Sequence, residues 1–163
     1  MPLPVQSIRA RPEHRGILQA VAELLRQGRA PLVRKLLDDA TARPVGPFKD
    51  EASALAFLRD RLVVALKPRA IWQFGSRARG DADADSDFDL LVVLPDGLPA
   101  EAYAPSRAAE AVAGCGLGHD IVPCSWSEFR KDRDVPGSLV HNAIAEGRPI
   151  YRDRVLRKAE AAA

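Results

Sequence analysis

Five aspartates alternate along residues 81–89, DADADSDFD, and the last two, Asp87 and Asp89, lead straight into the apolar run Leu90-Leu91-Val92-Val93-Leu94. On a strand, side chains two apart share a face, so Asp87 and Asp89 are expected side by side with Phe88 turned the other way into a core. Paired carboxylates repel unless a cation lies between them. Oxygen-only donors at this spacing suit Mg²⁺, which takes one or two protein carboxylates and completes its octahedron with water and substrate phosphates. Just upstream stands Gly75-Ser76, where a glycine lets the backbone approach a ligand and a helix beginning at Ser76 offers free N–H groups to an anion. Arg77 and Arg79 add positive charge. An anion grip and a metal pair so close together imply a nucleoside triphosphate.

Rival motifs fail on these residues. Gly75 and Gly80 have P-loop spacing, but Asp81-Ala82 occupy the places of Lys and Ser/Thr. No register of the aspartate ladder puts Gly sixth and Glu twelfth, as an EF-hand loop requires. A solvated acidic turn accounts for Asp81, Asp83 and Asp85. It does not account for Asp89, which the apolar run carries into a half-buried strand where an unpaired charge is costly.

Gly75-Ser76, ten residues, then Asp87-Phe88-Asp89 at the head of a hydrophobic strand resembles the signature of the DNA polymerase beta-like nucleotidyltransferase superfamily. Within it, GSRARGDADADSDFDLLVV is most similar to the minimal nucleotidyltransferases (MNT family), many of them paired with a HEPN-domain partner as toxin and antitoxin. The resemblance spans roughly residues 50–152 and implies an α/β (α+β) fold, a small mixed sheet flanked by helices. It also implies a third carboxylate on a later strand, and Asp120 of His119-Asp120-Ile121-Val122 is placed to supply it. The implied activity is Mg²⁺-dependent transfer of AMP from ATP to a hydroxyl, with a tyrosine of a HEPN toxin as the family's acceptor. Asp87, Asp89 and Asp120 would then be the catalytic carboxylates holding one or two Mg²⁺ ions, and Gly75, Ser76, Arg77 and Arg79 the nucleotide grip. For each arginine, a solvated surface position is an equally good reading. The alternatives are a non-catalytic antitoxin acting by direct complex formation, or a transferase acting on a small molecule or an RNA end.

The elements that must carry these groups can be read in order. Ala70-Ile71-Trp72-Gln73-Phe74 reads as a strand ending at Gly75, and residues 90–94 as the next. Leu55, Leu58, Leu62 and Leu66 recur at helical spacing until Pro68 stops the helix. Residues 101–113 read as an Ala-rich helix, 120–124 as a strand whose Pro123 suits an edge position, 126–131 as a short helix capped by Ser125 or Ser127, and 135–146 as a helix ended by Gly147. Residues 149–151 close the sheet. Gly114, Gly116 and Gly118 precede a strand instead of following one, which excludes a dinucleotide fingerprint. His119 points away from Asp120 and reads as structural.

Ahead of this domain, Ile17, Val21, Leu24 and Leu25 fall on one helical face, Gly28 ends that helix and Pro31 opens another. Residues 1–45 are thus expected to form a helical hairpin extension with a linker at 42–47, residues 50–152 the nucleotidyltransferase domain, and residues 153–163 a charged, Ala-rich tail. The net charge is +2, yet residues 81–96 hold six acids and no base. No dense basic stripe interleaved with aromatics marks a nucleic-acid interface. No apolar run approaches a membrane span, and two cysteines are too few for a disulfide framework. A cytoplasmic protein with reduced thiols is expected.

Overall fold

The computed structural model describes residues 14–41, 43–83 and 86–154. Most of the expected tail and Asp85 lie outside the described residues. The chain divides into two compact units, residues 1–42 and 43–163. In the first, α1 (Arg15–Arg26) ends near Gly28, whose φ of 72° only glycine adopts without strain, and α2 (Ala30–Thr41) follows with Pro31 in its first turn.

The second unit is a four-stranded sheet of order β3-β2-β1-β4, built from β1 (Ala70–Phe74), β2 (Phe88–Leu94), β3 (His119–Ser125) and β4 (Arg148–Arg152). β1 runs antiparallel to both β2 and β4, whereas β2 and β3 are parallel. The parallel pair demands a crossover, supplied by a 3-10 turn (Ala100–Tyr103) and α5 (Pro105–Ala111). β3 is an edge strand, as Pro123 requires.

Alternation along the strands divides the core. Ile71, Phe88, Leu90, Val92 and Ile121 face α3 (Glu51–Leu66) and α5, packing on Ala54, Leu58, Leu62, Ala108 and Val112. Ala70, Leu91, Val93 and Cys124 face the other way, onto Phe129 of α6 (Trp126–Asp132) and Val140 and Ala143 of α7 (Leu139–Glu146). β2 is buried on both faces, which explains its unbroken apolar run. Capping fixes the helix starts: Asp50 accepts from the Ser53 N–H at 2.7 Å, Ser125 caps α6, and Ser138 accepts from the His141 N–H at 3.0 Å.

Three expectations are corrected. The helix expected over 101–113 is broken, because Pro105 cannot continue a preceding helix and opens α5 instead. The helix expected from 135 begins at Leu139, since Pro136-Gly137 form a turn and Ser138 takes the cap. The expected linker at 42–47 is partly core: Val45 is buried and bridges to Phe48, and Gly46 lies against Gly116 and Leu117. Among the described residues no helix is long and apolar enough to cross a membrane.

Leu58 is fully buried at the centre of the α3 face. Leu58→Ala should lower unfolding stability by about 3 kcal/mol, measured as a shift of the urea midpoint at unchanged slope.

Candidate active site

β1 ends at Phe74, and the chain turns directly into α4 (Gly75–Arg79), one residue earlier than the Ser76 start expected from the sequence. Gly75 has a φ of 69°, which favours glycine, and a second reason fixes its identity. Phe74 pairs with Asp89 across the β1–β2 ladder, and a Cβ on Gly75 would overlap the Asp89 carboxylate. The α4 backbone and the Asp89 side chain therefore approach as closely as they do only because position 75 has no side chain.

Asp89 in turn pairs in register with Asp120 of β3. Residues paired in a parallel ladder direct their side chains to the same face, so the two carboxylates share the Leu91 and Val93 side of the sheet. Asp87, two positions before Asp89, stands exposed just ahead of β2, and a Cβ on Gly118 would overlap its carboxylate. The Phe88 N–H donates to the Gly118 carbonyl at 3.0 Å, locking the start of β2 to the approach of β3. The structure thus gathers Gly75, Asp87, Asp89 and Asp120 at one end of the sheet, with Ser76 in the first turn of α4.

Electrostatics bear out this crowding. The Asp89 carboxyl is pushed above the ordinary carboxylate range, chiefly by burial, then by the negative charges of Asp120 and Asp87, with Arg79 and Arg77 pulling weakly the other way. Arg79 is half-exposed and pairs with Glu146 of α7 at 2.9 Å and with Asp81 at 3.4 Å. Its charge is thereby shared with acids other than the three at the strand ends.

Arg77 is not the solvated surface arginine of one sequence reading. Its side chain is 3 % exposed and its guanidinium meets Glu51, the first residue of α3, at 3.1 Å. Nε donates to the Ser86 carbonyl at 3.0 Å, Nη2 donates to the same oxygen, and the group stacks 4.3 Å from the centre of the Phe88 ring. Phe88 faces α3, so Arg77 lies across β2 from the side that carries Asp89. Asp81 and Asp83 are exposed, as a solvated turn requires, and Ser86 Oγ donates to Asp83 at 2.8 Å. His119 accepts its structural role, its Nδ1 lying 2.9 Å from the Leu117 carbonyl oxygen.

Sequence reasoning missed Gly118, Glu51 and Glu146. The signal for Gly118 is local, a glycine two positions before the aspartate of a strand. Glu51 and Glu146 carry no local signal, because their partners lie on other elements.

The donor set fits a hard divalent cation: oxygen alone, and an excess of negative charge at one spot. No group of three or more His, Cys, Asp or Glu side chains among the described residues is drawn together closely enough to cage an ion unaided. That is compatible with Mg²⁺, which keeps water and substrate oxygens and needs few protein ligands. The thiols offer no alternative site, since both cysteines are free and buried, and burial pushes the Cys124 thiol up to about 12.

A strand, a helical turn opened by Gly-Ser, and acids at the heads of two neighbouring parallel strands define the nucleotidyltransferase class of α/β fold. Residues 55–135 match the family model described as a nucleotidyltransferase domain. Among solved structures, the chain is similar to a toxin–antitoxin complex with AMP-PNP, at 21% identity over 69% of this chain and 82% of that chain, with a TM-score of 0.42. It is also similar to a structure of the tri-AMPylated Shewanella oneidensis HEPN toxin in complex with MNT antitoxin, at 19% identity over 67% of this chain and 75% of that one, with a TM-score of 0.38. No curated protein sequence matches it.

The raised Asp89 carboxyl has a consequence for stability. A carboxyl whose pKa is higher folded than unfolded destabilises the fold increasingly as pH rises through that window, and fully above it. Asp89→Asn removes this cost, so in EDTA at pH 7 the variant should melt higher than wild type, by on the order of 2 °C. The gap should close below the ordinary carboxylate range, and calorimetric melts at both pH values check it.

Proposed function

We propose that the protein transfers AMP from ATP to a hydroxyl group with release of pyrophosphate, and that its acceptor is a tyrosine of a HEPN-type toxin, which the modification silences. The observation that carries the first part is the in-register pairing of Asp89 with Asp120, beside Asp87 and the side-chain-free backbone at Gly75. The second part rests on the likeness of residues 75–93 to the minimal nucleotidyltransferases. Two free cysteines agree with a reducing, cytoplasmic setting.

In this reading the Gly75 and Ser76 backbone N–H groups and the Ser76 hydroxyl hold the β- and γ-phosphates, which aligns the α-phosphorus for in-line attack. Asp87, Asp89 and Asp120 would hold Mg²⁺ together with water and phosphate oxygens, and the ion would supply positive charge against the triphosphate. Asp120, exposed on the edge strand, takes the proton of the attacking hydroxyl. The new bond joins the acceptor oxygen to the α-phosphorus as the bond to pyrophosphate breaks. Arg79, tied to Glu146, steadies charge at the rim.

The test is transfer of label from α-labelled ATP, with Mg²⁺, to proteins and RNA of a host lysate and to any co-purifying protein. Label is expected on one protein band, on tyrosine, and should fall at least about a hundredfold in Asp87→Ala and Asp89→Asn. Label on RNA would redirect the acceptor to nucleic-acid ends. Absence of label with folded protein and each of the common nucleotides would overturn transfer and leave an antitoxin that acts by binding.

A further inference from the structure

Arg77 is one residue of the Gly-Ser segment whose side chain turns away from the anion grip, and its partners explain why. A single guanidinium, rooted in α4, touches Glu51 of α3, the Ser86 carbonyl of the segment before β2, and the Phe88 ring of β2 itself. Those last two contacts bracket Asp87 in sequence, and Phe88 is the residue between Asp87 and Asp89. Holding the Ser86 carbonyl and the Phe88 ring fixes the backbone that directs both carboxylates to the opposite face.

We infer that Arg77, anchored by Glu51, is a positioning residue that sets the spacing between the Asp87–Asp89 pair and the α4 backbone at Gly75, and that it does not bind the nucleotide. The inference rests on the transfer reading for its consequences on rate, but its geometry stands independently. Burial argues against a phosphate role, because a side chain 3 % exposed and stacked on a core phenylalanine cannot also reach an anion beyond β2. Position argues the same way, since Phe88 faces α3 while Asp89 shares its face with Leu91 and Val93. Glu51 has a double role here. Its carboxylate sits in the first turn of α3, where negative charge is favoured, and it orients the fork of Arg77. Lysine could supply the charge but not the planar fork that meets carboxylate, carbonyl and ring together.

Arg77→Lys and Glu51→Gln in the full chain test this with three readouts. Glu51 is more than a third exposed, so Glu51→Gln keeps the test alive if Arg77→Lys fails to fold. The first readout is amide hydrogen exchange over residues 86–89, which should speed up at least about tenfold in both variants, well beyond any change in β1. The second is ATP affinity with Mg²⁺ by calorimetry, which should change less than about threefold in either variant. The third is the rate of label transfer to the acceptor found in lysate, which should fall roughly tenfold to a hundredfold in each. The double variant should be no worse than the poorer single one, because both lesions break the same linkage.

Loss of ATP affinity in Arg77→Lys with Glu51→Gln unaffected would overturn the inference in favour of a phosphate ligand. Unchanged exchange over residues 86–89 in both variants would overturn it in favour of plain packing. If wild-type protein transfers no label, the transfer reading fails by itself, and the exchange and affinity measurements still decide what Arg77 does.

Discussion

The repulsion among Asp87, Asp89 and Asp120 is the constraint on which the rest of this unit depends. Carboxylates at adjacent strand ends resist being held together, and nothing in their own chemistry would keep them there. The restraint comes from the sheet. Asp89 is fixed by hydrogen bonding of β2 to strands on both sides, and Asp120 by the parallel ladder that gives it the same register. Burial of Phe88, Leu90 and Leu91 then anchors β2 from both faces, each such side chain contributing on the order of 2 kcal/mol. The apolar core holds the charges in place, and the unbalanced charge creates the demand for a cation.

The surroundings sharpen that demand. Arg79 is the guanidinium on the site's side of α4, yet Glu146 and Asp81 already share it. Arg77 is sequestered behind β2 with Glu51. Both arginines of the turn are therefore committed to neighbouring acids, and the strand-end carboxylates keep most of their negative field uncompensated. A basic segment next to acids does not by itself announce an anion site; the partners of each guanidinium decide.

Much of this was legible in sequence wherever the physics is local. The stop at Gly75, the alternation that separates Phe88 from its flanking aspartates, and the edge character that Pro123 forces on β3 all follow from backbone and pleat. Where apolar patterning ran through Pro105 and Pro136-Gly137, local backbone chemistry prevailed over the pattern and moved the helix starts. What sequence could not show was long-range pairing. Arg77 reads as one more surface arginine until Glu51, 26 residues earlier, is brought against it. The burial of Val45 was hidden for a similar reason, since Pro and Gly on either side gave it the look of a linker.

Gly75 and Gly118 are each the negative image of a carboxylate, Asp89 filling the volume of one absent Cβ and Asp87 the other. A site of this kind is specified by empty space as much as by functional groups. A descendant of this chain could retain every acid of the motif and still lose the arrangement through a single added methyl group at either glycine. Judging whether such a site survives in a diverging lineage therefore means inspecting the residues that contribute no chemistry at all, alongside those that do.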